Sequence, residues 1–242
     1  MRKFECNERV IFRFDGVTHR GRVTAVEPKT RRVVTDSGRR LVVPVRSLRA
    51  AANRSLILET RLDRNLRSNR TYGPMMQQLL YAFDVEALYE RVHTVDSMRR
   101  FLRQEGKNPA TRFIHVMSHG TVGPGRGTAS LHLTFGDLNL VEHADVFKDL
   151  PDKILLFSCC QIGKDRAVLE LIKEVSKAAA VISYRVDVND WYTNLAEALL
   201  YERLLNSTMS PQKAVKVVGE VLDLMGVKVH GVVTRKPVLV CV

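Results

Sequence analysis

Four cysteines in 242 residues (Cys6, Cys159, Cys160 and Cys241) are too few and too scattered for a disulfide framework. That excludes the stapled secreted class and makes a reducing compartment, the cytoplasm, the expected setting. No stretch approaches the roughly 18 apolar residues that a membrane span needs. The opening MRKFECNERV has no apolar core of the kind a secretory leader carries. With 8 prolines, 14 glycines and a hydrophobic fraction of 45%, the composition is neither fibrous nor disordered. Positive charge, in contrast, is abundant, with a net of +12. It is unevenly spread: residues 1–70 hold 18 Lys and Arg against 7 Asp and Glu, and the rest hold 20 against 19. The basicity therefore belongs to the N-terminal quarter. Such a patch can meet phosphate, an acidic protein surface or solvent, and charge alone does not favour a nucleic-acid partner.

The first fifty residues read as short strands between turns: RVIFRF, Asp15-Gly16, HRGRVTAVE, RRVVT, Asp36-Ser37-Gly38 and RRLVVPV. β-Branched residues alternate with charged ones, as in a small antiparallel β-barrel. The spacing of valines, glycines and the Asp-Gly turn resembles Tudor/KOW-type barrels. That resemblance implies a domain over residues 1–52 that binds nucleic acid or a peptide, and so recruits a partner or activator, or serves only as a packing module. Beyond it, SLILETRL is a strand candidate leading into an arginine-rich loop that includes Arg61 and Arg64. This loop is a candidate self-cleavage or inhibitory segment, or simply a solvated charged loop.

From residue 53 the rhythm changes to strands alternating with helices: MMQQLLYAFDV helical, EALYERVHT extended, SMRRFLRQE helical, then RFIHVMSHG, a LHLTFGDLNL hairpin, KILLFSCC, a helix at RAVLELIKEVSKA, AAVISYRV, and two further helices. This order predicts an α/β domain over 53–242 with a mostly parallel sheet covered on both faces. KILLF and AVISY are continuous apolar runs, as expected of strands buried on both sides.

Reactive groups in open α/β sheets gather at the carboxyl ends of strands. Two strands here end in such groups, one at His119-Gly120 and one at Cys160. Adjacent parallel strands lie about 4.8 Å apart, so His119 can serve as base to a Cys160 nucleophile. A helix starting near Asp165 would favour the thiolate. His115 and His119 would sit about 13 Å apart on one strand, too far to share a metal, and zinc-type CxxC spacing is missing. GTVGPGRG is followed by a strand pattern and not by the helix that a dinucleotide loop requires. Strand alternation points Cys159 away from Cys160 and into the core.

SHG after an apolar strand, followed some forty residues later by Phe157-Ser158-Cys159-Cys160-Gln161-Ile162-Gly163, resembles the caspase-like (clan CD) cysteine peptidases, in particular the CHAT branch related to separase. The nucleophile strand of that branch reads Leu-Ser-Ala-Cys-x-x-Gly, which places Cys159 at the alanine and Cys160 at the nucleophile. The downstream AAVISYRVDVNDWYTNLAEALLYERLL fits the same pattern, so the resemblance covers residues 55–242. It implies a three-layer αβα sandwich and an intracellular cysteine endopeptidase without metal or cofactor, acting on protein substrates in stress or defence signalling. It further implies His119 and Cys160 as the dyad, with the Gly120 N–H on the oxyanion. For the pocket that selects the substrate side chain the candidates are Asp187, Asp165, Asp190 and Arg185. Alternation would point Arg185 and Asp187 the same way, as a self-neutralising pair. An acidic pocket for a basic side chain is the favoured reading. The glycine-rich GTVGPGRG is a candidate for a loop ordered only on activation. The alternative function is a catalytically silent scaffold carrying a basic nucleic-acid- or protein-binding barrel.

Overall fold

A computed structural model describes residues 4–51, 54–60, 71–125, 127–207, 209–227 and 237–242. Arg61, Arg64 and the rest of the arginine-rich loop lie outside the described residues.

The N-terminal region forms five antiparallel strands: β1 (Arg9–Phe14), β2 (Val17–Val26), β3 (Thr30–Thr35), β4 (Arg40–Pro44) and β5 (Arg49–Ala50), in the order β4-β3-β2-β1-β5. Asp15 and Gly16 both have positive φ, 49° and 78°, the tight turn that an Asp-Gly pair favours between twisted strands. Alternation sends Val10, Phe12, Val23, Val33 and Val43 into a core of their own and leaves Arg13, Arg22, Arg32 and Arg40 exposed. The end strands β4 and β5 are not paired with each other among the described residues, so the sheet has two edges.

This sheet is pinned to the rest of the chain by two arginines. Arg9 bridges Asp36 at 2.8 Å and Asp84 at 3.1 Å. The Arg20 guanidinium donates to the carbonyls of Leu205 (2.5 and 3.1 Å) and Phe83 (3.3 Å). Those carbonyls lie at the C-terminal ends of two helices, where a cation also meets the negative end of each helix dipole. Arg20→Met is expected to lower stability by about 2 kcal/mol, the scale of charge-assisted bonds lost at a partly buried site. It should also speed cleavage by added protease near residue 51. Urea unfolding and limited proteolysis check both effects.

The second region alternates as read from the sequence: β6 (Arg54–Glu59), α1 (Gly73–Ala82), β7 (Glu86–Arg91), α2 (Val95–Gly106), β8 (Thr111–Met117), β9 (His119–Val122), β10 (Ala129–His132), β11 (Asp137–Asn139), β12 (Ile154–Ser158), α3 (Arg166–Ser176), β13 (Ala180–Tyr184), α4 (Asp190–Asn206), α5 (Pro211–Leu224) and β14 (Leu239–Cys241). Six of these strands form one sheet in the order β14-β13-β12-β8-β6-β7, all parallel except the antiparallel edge strand β14. β14 and β9 were not expected from the sequence, in which RFIHVMSHG reads as one strand and GTVGPGRG as a loop.

Period-two alternation divides the sheet's side chains between two cores. Leu56, Leu58, Ile114, Val116, Leu155 and Phe157 pack with α2, α3 and the β9–β11 strands. Ile57, Phe113, Leu156 and Ile182 pack with α1, α4 and α5. Helices thus cover both faces, which is why the central strands are apolar throughout. Side-chain caps set the helix starts: Thr94 and Ser97 cap each other on α2, Asp165 caps α3, Asn189 caps α4 and Ser210 caps α5. β9, β10 and β11 form a separate antiparallel sheet. The tip of its β10–β11 hairpin is fastened beside β7: the Phe135 N–H donates to the His93 carbonyl at 3.0 Å, and His93 Nδ1 lies 2.8 Å from the Thr134 hydroxyl.

Candidate active site

Sheet order places the two reactive strands side by side. β8 and β12 pair in parallel, with Met117 opposite Ser158, and the Ser118 N–H donates to the Ser158 carbonyl at 3.2 Å. Beyond that bond the strands part. β12 runs into Cys159 and Cys160, while His119 opens β9 and does not simply end β8. A cleft of about 220 Å³ lies at these strand ends, lined by His119, Cys159, Cys160, Val188 and the first turn of α4.

Several local features hold the Cys159–Gln161 loop. Cys159 is 2% exposed in the core shared with α3, as its place in the alternation requires, and burial pushes its thiol well up. Gln161 has φ of 62°, a left-handed turn that ends the strand direction, and its N–H donates to the Val186 carbonyl at 3.1 Å. Cys160 is half-buried. The Val188 N–H donates to its Sγ at 3.5 Å, and the thiol is 3.6 Å from the Val188 carbonyl. Gly120 lies directly against this loop. A Cβ there would sit 2.6 Å from the Cys160 carbonyl oxygen and 3.1 Å from the Cys159 Cβ, so only glycine lets β9 approach so closely.

The Cys160 thiol is pushed above its ordinary value, first by burial and further by the Asp187 carboxylate; the Val188 amide acts in the opposite sense. This corrects the expectation of a thiolate promoted by α3. That helix does start nearby, but its N-terminus is already capped by Asp165, whose Oδ1 takes the Val168 N–H. The thiol's hydrogen-bonding partner is Val188, and His119 lines the same cleft.

The expected pocket residues go to four different places. Asp190 lines the cleft, and the Tyr72 hydroxyl donates to its Oδ2 at 2.5 Å. Asp187 is exposed and accepts from the Gln161 amide at 2.9 Å. Asp165, besides capping α3, takes the Gly127 N–H at 3.1 Å, so part of GTVGPGRG is fastened to the start of that helix. Arg185 turns into a different groove, beside β14. No ion pair joins Arg185 to Asp187: β13 ends at Tyr184, and the alternation that would align them stops there.

Other cleft residues carried no sequence signal. Tyr72 and Thr193 line it with Asn189 and Asn194. Tyr72 is itself held by its N–H, which donates to Glu59 at 2.6 Å, and the same buried carboxylate takes the Tyr89 hydroxyl at 2.6 Å. Thr60 fixes Ser118 through a 2.9 Å hydroxyl bond. One turn beyond the cleft, α4 carries a fully buried Glu197. Its Oε1 takes the Tyr184 hydroxyl at 3.0 Å, and its Oε2 is 3.3 Å from Nε2 of the equally buried His115. The His115–Glu197 contact lacks hydrogen-bond alignment, while His115 Nδ1 is 3.1 Å from the Tyr201 hydroxyl.

Among the described residues no group of three or more His, Cys, Asp or Glu side chains gathers as a metal site requires, and no helix is long and apolar enough to cross a membrane. No protein-family model matches the chain, and no curated protein is similar to it in sequence.

Proposed function

We propose that the chain is a caspase-like cysteine endopeptidase acting on intracellular proteins, with Cys160 as nucleophile and His119 as general base and acid. One observation carries this reading: a histidine and a half-buried thiol leave adjacent parallel strands and line the same small cleft. The mostly parallel sheet with helices on both faces agrees with the architecture that the sequence resemblance implies.

In this mechanism Cys160 starts as a thiol, in keeping with the upward push of its environment. His119 takes the proton as Sγ bonds to the peptide carbonyl carbon, and the negative charge moves to oxygen, where the Gly120 N–H is the candidate donor. The C–N bond then breaks, and the imidazolium gives its proton to the leaving amine. Water, deprotonated by His119, attacks the thioester. The S–C bond breaks, releasing the acid and restoring the thiol. Asp190 is the one carboxylate among the described residues lining the cleft, and we assign it the preference for a basic substrate side chain. The basic N-terminal sheet would recruit substrate or an activating partner.

A catalytically silent scaffold is the second reading. Its support is that Cys160 bonds to Val188 while its thiol is pushed up. Peptidyl acyloxymethyl ketones ending in arginine or aspartate separate the two readings. The peptidase should be labelled at Cys160, at least about tenfold faster by the arginine probe. Asp190→Asn should erase that preference. If Cys160→Ala is labelled as strongly as the parent chain, or neither probe labels the parent, the peptidase reading is wrong.

A further inference from the structure

Among the described residues β14 is an outer strand with no neighbour on its far side. Val242 and Val181 exchange backbone bonds at 3.0 and 3.2 Å, and the Arg185 N–H donates to the Val238 carbonyl at 2.8 Å. In an antiparallel ladder such bonded pairs alternate with unbonded ones. Val238, Val240 and Val242 therefore turn their amides towards β13, and Leu239 and Cys241 turn theirs away from the sheet. Among the described residues Leu239 and Cys241 have no backbone partner on that outer side.

A groove of about 680 Å³ runs along this edge, between Leu169 of α3 and Lys216 and Gly219 of α5. Gly219 keeps the α5 wall low: a Cβ there would meet nothing within 4 Å. Charge in the groove is mixed, with Glu220 and Asp223 among the lining residues beside four cations. Arg166 and Lys216 are each paired within their own helix, to Glu170 and Glu220. Lys164 and Arg185, at the end nearest the Cys160 loop, have no ion-pair partner among the described residues.

An edge with outward amides, set in a groove with a cationic end, has the features of strand addition: main-chain bonds give affinity and side-chain contacts give selectivity. We propose that β14 receives an extended segment of a partner protein as a seventh strand, with an acidic side chain of that segment directed at Lys164 and Arg185. A second copy of this chain is a poorer occupant, because its own edge, Pro237-Val-Leu-Val-Cys-Val242, offers no side-chain carboxylate.

The test uses the full chain carrying Cys160→Ala, so its outcome is independent of the peptidase reading. The probe is a fluorescein-labelled hexapeptide of alternating valine and glutamate, followed by anisotropy. We expect a Kd of about 100 μM or tighter. Binding should weaken at least about tenfold in Lys164→Glu/Arg185→Glu and in Cys241→Pro, which removes one outward N–H and spares the bonds to β13. If Cys241→Pro does not fold, the same peptide N-methylated along one edge tests the point and should not bind. The proposal is overturned if the glutamate peptide fails to bind at about 1 mM, if a valine–lysine peptide binds as well, or if the N-methylated peptide binds unchanged. It is also overturned if sedimentation shows the chain occupying this edge with itself.

Discussion

On the proposed peptidase reading, Cys160→Ala is expected to reduce peptide hydrolysis by about 10⁴-fold or more, the scale on which a covalent nucleophile is lost. Cys159→Ala should leave turnover within about a few fold, although the two residues are neighbours, because Cys159 lies in the core behind the strand. The same pair of variants distinguishes the two thiols in stability: removing the buried Cys159 sulfur should cost about 1 kcal/mol, and the half-exposed Cys160 less. The pH dependence follows from the push on Cys160. A group whose proton is held more tightly than usual needs higher pH to form thiolate, so alkylation by iodoacetamide should accelerate through the alkaline range and be slow at neutrality. Asp187→Asn removes one of the charges that hold the proton on. It should shift the alkylation profile to lower pH and raise the rate near neutrality. An unshifted profile would show that Asp187 does not influence this thiol.

Glu197→Ala is expected to destabilise the fold by about 3 kcal/mol or more, measured by urea unfolding. The reason is what it strands. Tyr184 would lose the acceptor of its 3.0 Å bond, and His115 would lose the carboxylate beside Nε2, both in a core closed to water. Orphaned polar groups of this kind carry their full desolvation cost. Glu197→Gln keeps an acceptor for Tyr184 and should lose about 1 kcal/mol. Replacing the whole set with apolar residues, His115→Leu/Tyr184→Phe/Glu197→Leu, should recover most of the stability, as is common for buried ionic clusters. Equal losses in the triple variant and in Glu197→Ala would show that packing volume, not polarity, is what matters there.

The parts of this molecule that are periodic were legible in its sequence. The Asp15-Gly16 turn, the apolar KILLF and AVISY strands, and the opposite facing of Cys159 and Cys160 all follow from backbone geometry that acts over a few residues. The pairing of β8 with β12 was not legible: the rule about strand ends says where reactive groups gather, and only the ladder itself makes these two strands neighbours. Legibility ended where periodicity did. Arg185 and Asp187 were placed on a strand, but the backbone leaves the sheet after Tyr184, and each side chain then follows its own local bonds. Asp165 was read as a pocket charge, whereas a carboxylate at the start of a helix is taken up by the exposed amides there. β14 was missed because three residues are too short to show a period; only pairing with β13 makes them a strand. Glu197 gave no warning at all. A glutamate in a helix reads as solvent-facing, and its burial depends on a histidine more than eighty positions earlier.

His119 and the Cys160 loop are moored to different borders of the main sheet. His119 begins β9, which is laced to the β10–β11 hairpin, whose tip rests on His93 just beyond β7, one outer strand. The Cys160 loop leans the other way. A Cβ on Gly163 would lie 2.6 Å from Val240 of β14, the opposite outer strand. The cleft that His119 and Cys160 line is therefore where two chains of contact meet, one from each flank. On the peptidase reading, the spacing of His119 and Cys160 is a quantity that both borders set together, because neither residue is tied only to the central strands.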